Sequence, residues 1–261
     1  MDIVSHTLSG VAAATVVASF SAKKLPAKAL ILISGAAGGA LPDADALSIV
    51  IGNRVDIYTG NYWYSHHQFI HSILAGFLFT FLFLGISTIG WLSSLRKKSI
   101  FLFWKQKYPY FIAFFSGFVM HLLGDLPTPG GPWGGIKLFW PLRINAGGWG
   151  KIWWWNNYDL LLVIFLCCFV NSILLAIKSI LKKSFLKPSF PIIVSIIFVL
   201  SFLSIVHQVN HRSHSFAYRG SLKAKEFYQY EENSLEIQKA ILGNKLFSFI
   251  SKVDSALIIY I

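Results

Sequence analysis

Charge is what this sequence has least of. Only 13% of its 261 residues are Asp, Glu, Lys or Arg, and only 11 are acidic, whereas 55% are hydrophobic and 16% aromatic. A chain so poor in charge, with a positive mean hydropathy, is far more apolar than a soluble domain and reads as an integral membrane protein. Cysteine is almost as scarce. Cys167 and Cys168 are neighbours inside an apolar run. Adjacent residues on a helix point in different directions, so a disulfide framework is excluded and both read as packing or lipid-facing residues. Met1 to Thr7 contain no Lys or Arg. The basic n-region of a cleavable signal peptide is therefore missing, and the first segment is expected to be retained. No internal repeat or low-complexity segment is present.

What is there is a series of apolar runs. Ser72 to Leu92, Tyr108 to Leu126, Tyr158 to Ile177 and Phe190 to Val206 are each long enough to cross roughly 30 Å of hydrocarbon. Leu8 to Phe20 and Ala27 to Leu41 are shorter and rich in Ala and Gly. They predict a helical hairpin whose small residues let the backbones approach closely. The expected fold is all-α: a polytopic membrane protein with about six hydrophobic helices. Residues 1–210 would form the membrane-embedded domain and residues 211–261 an amphipathic tail.

The formal charge of +12 could suggest nucleic acid, but its placement argues against that partner. Lys23, Lys24 and Lys28 lie in one connection, Arg96, Lys97, Lys98, Lys105 and Lys107 in another, and Lys178, Lys182, Lys183 and Lys187 in a third. Alternate connections are basic, which is the positive-inside pattern. Counting crossings from there puts the amino terminus, residues 42–70, residues 127–157 and the tail on the outer side of a cytoplasmic membrane.

On that outer border the unusual polar residues converge. His6 opens the first segment. Asp43 and Asp45, in "LPDAD", follow the second, and His66, His67 and His71, in "HHQFIHS", precede the third. His121 and Asp125, in "HLLGD", end the fourth. Ionisable groups at membrane depth are expensive and usually functional. The i, i+4 spacing of His121 and Asp125 puts both on one helical face, and His67 with His71 would share a face if that stretch is already helical. Pro42 stops a helix, leaving the two aspartates free to serve as ligands or as orienters of ligands. A mixed His and Asp set points to zinc, manganese or iron rather than calcium. Seven candidate ligands suit two or three ions with open positions. Such a set lowers the pKa of a bound water and neutralises charge on a phosphoryl oxygen. Hydrolysis of a phosphoester at headgroup level is the natural reaction class.

The ordered blocks "HTLSG", "LPDAD", "HHQFIHS" and "HLLGDLPTPGGPWGGIKLFWPL" resemble the YdjM-like bacterial and archaeal inner-membrane proteins, described as membrane-bound metal-dependent hydrolases. The resemblance spans about residues 1–143. It implies that His6, Asp43, Asp45, His66, His71, His121 and Asp125 form a metal site. The family is distantly grouped with zinc-dependent phospholipase C and fungal single-strand nucleases, which implies zinc and a phosphoester. In the third block the family's Arg, Gly and Thr stand here as His67, Gln68 and Ile70, so His67 is the candidate to take over the arginine's part.

The stretch Pro127 to Tyr158 is dense in Gly, Pro and Trp. It reads as an interfacial lid or an aromatic belt, with Trp133, Trp140, Trp149 and Trp153 to Trp155 among headgroups. Lys137, Arg143 and Trp133 would meet an anionic substrate. His207, His211 and His214 would form one stripe if the last span continues as a helix, a weak second metal site with no carboxylate. Residues beyond about 215 are expected to form one or two amphipathic helices outside or on the membrane. The reading is therefore a phosphoesterase of the inner membrane whose partners are the bilayer and a phospholipid or lipid-linked phosphate. Asp43 or Asp45 would act as base where not ligating. The alternatives are a metal-ion transporter or a scaffold with a closed structural metal.

Overall fold

The computed structural model describes residues 1–46, 67–93, 99–181 and 189–257. Among them are seven α-helices: α1 (Ile3–Phe20), α2 (Leu25–Ala40), α3 (Ile73–Ser93), α4 (Ile100–Asp125), α5 (Tyr158–Leu181), α6 (Phe190–Asn210) and α7 (Ala224–Leu257). The all-α polytopic fold is as expected. Five segments are long and apolar enough to cross a membrane: α1, α2 with its short extension to Asp45, α3, α5 and α6. The sixth bundle helix, α4, does not reach the same apolarity, because Lys105, Lys107, two tyrosines, Pro109, His121 and Asp125 lie along it.

Local chemistry sets the helix ends. Asp2 caps α1, its Oδ1 accepting the Ser5 N–H at 2.8 Å. Pro26 sits in the first turn of α2, where its missing N–H costs nothing. Ser72 precedes α3, and its Oγ accepts the Ala75 N–H at 3.1 Å.

The centre of the bundle is α1, α2 and α4, packed without side chains between parts of their backbones. A Cβ on Gly10 would strike the Gly35 carbonyl; one on Gly38 would strike the Phe114 carbonyl, and one on Gly117 the Gly35 carbonyl. This close approach extends the predicted hairpin to a third helix. Helices α5 and α6 pack against α1, and α3 leans on α4. Asn171, fully buried in α5, joins three helices: its Nδ2 donates to Thr15 Oγ1 (3.1 Å) and to the Val194 carbonyl (3.4 Å). Cys167 and Cys168 are free and buried, so they are packing residues.

The connection between α4 and α5 is a glycine-rich loop zipped onto itself and onto the tail. Ile136 and Ala146 exchange backbone hydrogen bonds of 2.9 Å in both directions. The Gly131 N–H donates to the Tyr218 carbonyl (3.1 Å), and the Phe216 N–H to that of Gly150 (2.7 Å). Trp153 is not among headgroups as the composition suggested. It is fully buried against Tyr230, whose ring stacks at 5.5 Å, and Phe227. The reason is that α7 folds back over the loop and supplies the apolar cover that lipid would otherwise give. Helix α7 is broken at Gly243, whose φ of 72° and ψ of 160° are not helical.

Candidate metal centre

The site is assembled at one end of the bundle from four separate elements. His121 and Asp125 come from one face of the last turns of α4, with His121 Nε2 3.1 Å from Asp125 Oδ2. His6 comes from the first turns of α1. Its ring stacks on His121 with centroids 3.7 Å apart, and its Nε2 lies 3.0 Å from Asp125 Oδ1. Gly124 makes this stack possible, since a Cβ there would press on the His6 ring at 3.0 Å. The Met1 nitrogen also reaches Asp125 Oδ1, at 2.9 Å.

Asp43 and Asp45 lie in a 3₁₀ turn, Leu41–Ala46, that continues α2. At three residues per turn, side chains two apart diverge by about a third of a turn, so the two carboxylates straddle the His71 ring. Asp43 Oδ1 is on its Nε2 side, 3.9 Å away, and Asp45 Oδ2 is on its Nδ1 side, 3.1 Å away. His71 itself ends a single 3₁₀ turn, Phe69–His71. The helical i, i+4 pairing expected of His67 and His71 is not formed, because Ser72 takes the capping role and α3 starts only at Ile73. Tertiary structure still brings the two rings to 4.7 Å. His67 is buried with a left-handed φ of 64°. His66 lies outside the described residues.

The roles of the ring nitrogens follow from what each faces. The Gly39 carbonyl, 2.7 Å from His121 Nδ1, can only accept, so Nδ1 carries the proton and Nε2 of the neutral ring is a lone pair. Asp45 Oδ2, which can only accept, lies 3.1 Å from His71 Nδ1; the pair is not aligned as a hydrogen bond, but the carboxylate charge favours the proton on Nδ1 and leaves Nε2 as a lone pair. Four electron-pair donors then face one another: His71 Nε2, His121 Nε2, Asp43 Oδ1 and Asp125 Oδ2. The two imidazole nitrogens are 3.3 Å apart. His121 Nε2 is 3.6 Å from Asp43 Oδ1, and His71 Nε2 is 3.6 Å from Asp125 Oδ2. Lone pairs facing lone pairs in a buried space repel unless a cation sits among them. Zinc bonds of about 2.0–2.1 Å in tetrahedral geometry require donors roughly 3.3 Å apart, and the observed separations run from 3.1 to 3.9 Å. The donor set therefore fits such an ion, with Asp45 and the Gly39 carbonyl orienting the two imidazoles from behind. Three overlapping triads have ligand atoms close enough to hold an ion: His6, His121 and Asp125; Asp43, His71 and His121; His67, His71 and Asp125.

The family model of the YdjM inner membrane protein matches residues 1–214. The chain belongs to that family. No curated protein and no solved structure matches it.

The YdjM match extends through the glycine-rich loop, which walls the site. The Lys137 N–H donates to the His67 carbonyl (3.0 Å), and the Ile73 N–H to the Leu138 carbonyl (3.1 Å). Trp133 lies against the His67 ring, with centroids 4.8 Å apart. The Lys137 ammonium turns to the Arg143 carbonyl at 3.2 Å. Partial burial, and then the Arg143 charge, hold its pKa below the ordinary lysine value. Arg143 is exposed and makes no contact with the His/Asp cluster among the described residues. The histidine stripe after α6 does not form, because the helix stops at Asn210. The His207 and His211 rings lie tilted against each other with centroids 4.0 Å apart, but His214 turns to Phe216. Sequence reasoning did not find the Gly39 carbonyl, since a backbone oxygen leaves no side-chain signal. Nor did it find Arg212, whose Nη2 grips both oxygens of Asp159 at 2.8 and 2.6 Å.

Proposed function

We propose that this YdjM-family protein is a metal-dependent phosphoesterase that acts on a phospholipid or lipid-linked phosphate at the extracytoplasmic border of the inner membrane. The observation that carries the reading is the facing pair of imidazole nitrogens, His71 Nε2 and His121 Nε2, each within 3.1 to 3.9 Å of a carboxylate oxygen of Asp43 and of Asp125. His71, His121, Asp43 and Asp125 would hold a first ion. His6 and His67 extend the set through Asp125, which offers one oxygen to each side, and this supports two or three ions. Zinc bound there would supply Lewis acidity and a lowered water pKa.

The chain's own residues supply the rest. Asp45 and the Gly39 carbonyl hold the imidazole tautomers. Asp43, with 16% of its side chain exposed, is the most open member of the set and the best placed to accept a proton at the mouth. His67, braced by Trp133, takes the position of the family's arginine. Trp133 offers an apolar rim, with Lys137 and Arg143 further along the wall for an anionic group. A transporter would be expected to hold its ligands near the bilayer midplane on broken helices. These ligands gather at helix ends on one border, which favours hydrolysis.

The test is metal content by mass spectrometry on purified wild type, His121→Ala and Asp43→Ala, alongside turnover of a generic phosphodiester and of a phospholipid. Two or more zinc or manganese ions per chain, lost together with turnover in both variants, are expected. A full single complement without turnover would refute the hydrolase reading.

A further inference from the structure

The half of α7 beyond Gly243 does not belong to the metal centre, yet it is built with three distinct flanks. One flank is docked. Ile250 is buried, the Phe247 ring lies 6.0 Å from that of Tyr158, and Asp254 Oδ2 accepts the Tyr158 hydroxyl proton at 2.6 Å. Both contacts fall on the first residue of α5, so this half-helix lies across the point where a membrane-crossing helix enters the bilayer. A second flank carries Leu246, Phe249 and Val253 at i, i+3 and i+7, which are 41%, 65% and 42% exposed. That spacing makes one continuous apolar stripe. The flank on the other side of the docked line is polar, with Asn244, Ser248 and Ser255 exposed. Lys245 and Lys252, also exposed, border the apolar stripe.

An exposed apolar stripe held at the membrane border, edged by lysines and backed by a polar flank, is the pattern of a helix lying in the headgroup region. The docked flank fixes its rotation, so the stripe cannot turn inward to the protein. The lysine stems can run along the acyl boundary while their ammonium groups stay with phosphates. We infer that residues 244–257 are an interfacial anchor that binds the anionic lipid surface of the leaflet on the metal-centre side. Leu246, Phe249 and Val253 enter the acyl boundary, and Lys245 and Lys252 pair with lipid phosphates. Gly243 permits this, because its left-handed φ lets the second half-helix leave the direction of the first.

The experiment uses the full chain in nanodiscs, carrying Phe249→Cys or Ser248→Cys labelled with an environment-sensitive fluorophore. The buried Cys167 and Cys168 are controlled by mock-labelled wild type. Quenching by nitroxide-bearing lipid is compared with quenching by aqueous iodide, in neutral discs and in discs containing anionic phosphatidylglycerol. The Phe249→Cys label is expected to be quenched mainly by lipid and the Ser248→Cys label mainly by iodide. Adding Lys245→Gln and Lys252→Gln should cut the anionic-lipid preference by about fivefold per lysine. Equal iodide quenching at both positions would overturn the inference by showing a stripe that faces water. A Phe249→Cys label shielded from both quenchers would overturn it by showing a protein cover, such as a second copy of the chain.

Discussion

Under the proposed metal-dependent function, replacing Asp45 by alanine would separate an orienting carboxylate from a ligating one. Asp45 Oδ2 stands 3.1 Å from His71 Nδ1, on the opposite edge of the ring from the nitrogen that faces His121 and Asp125. Asp45→Ala removes no donor from the converging set, but it frees the imidazole to change tautomer and to rotate. Loss of such a partner typically weakens metal affinity about 10- to 100-fold, which is about 1.4 to 2.7 kcal/mol. Asp43→Ala removes a donor on the Nε2 side and should cost more. Asp45→Asn keeps an acceptor oxygen for Nδ1–H and should retain most of the affinity. The assay is a competition titration of zinc against a chromophoric chelator, with detergent-purified protein and stoichiometry by mass spectrometry. Three outcomes are expected in order: near-wild-type affinity for Asp45→Asn, a graded loss for Asp45→Ala, and the loss of an ion for Asp43→Ala. If Asp45→Ala bound zinc like wild type, or lost it as completely as Asp43→Ala, the orienting role would be refuted.

The close helix packing predicts that Gly38→Ala lowers thermal stability in detergent by about 1–3 kcal/mol of overpacking, because the new methyl would meet the Phe114 backbone. Gly85→Ala on α3, where nothing lies within 4 Å, should leave the melting temperature nearly unchanged. Arg212→Met should cost about 3–5 kcal/mol by leaving the buried Asp159 carboxylate unpaired, and a double replacement with Asp159→Leu should recover much of it; a single variant as stable as wild type would contradict this. Chelation should lower the melting temperature, and zinc restored to 100 times its dissociation constant should return about 2.7 kcal/mol. No change on chelation would mean that the converging lone pairs hold no ion.

Much of the bundle was legible in one dimension because its signals are local. Apolar length marks the crossing helices, and glycine and alanine in the first two segments mark close backbone contact. The i, i+4 spacing of His121 and Asp125 sets one face of α4 whatever surrounds it. The motif blocks named the residues that meet, but not how they meet. The third block shows the limit: its histidines suggested a helical pair, yet a serine cap immediately before the first turn of α3 decided otherwise. The aromatic loop shows the same limit, since Trp153 has the composition of a membrane belt and the burial of a core residue.

What the sequence determined by itself is the class of fold, the membrane setting and the donor types at one border, all properties of residue type and spacing along a helix. What only the tertiary structure decided is which atom of each donor faces the centre. His121 owes its tautomer to a carbonyl 82 positions away, and His71 is braced by one aspartate of PDAD while the other lies on its opposite edge. Such directions depend on where distant backbones come to rest, and backbone atoms are identical at every position of a sequence.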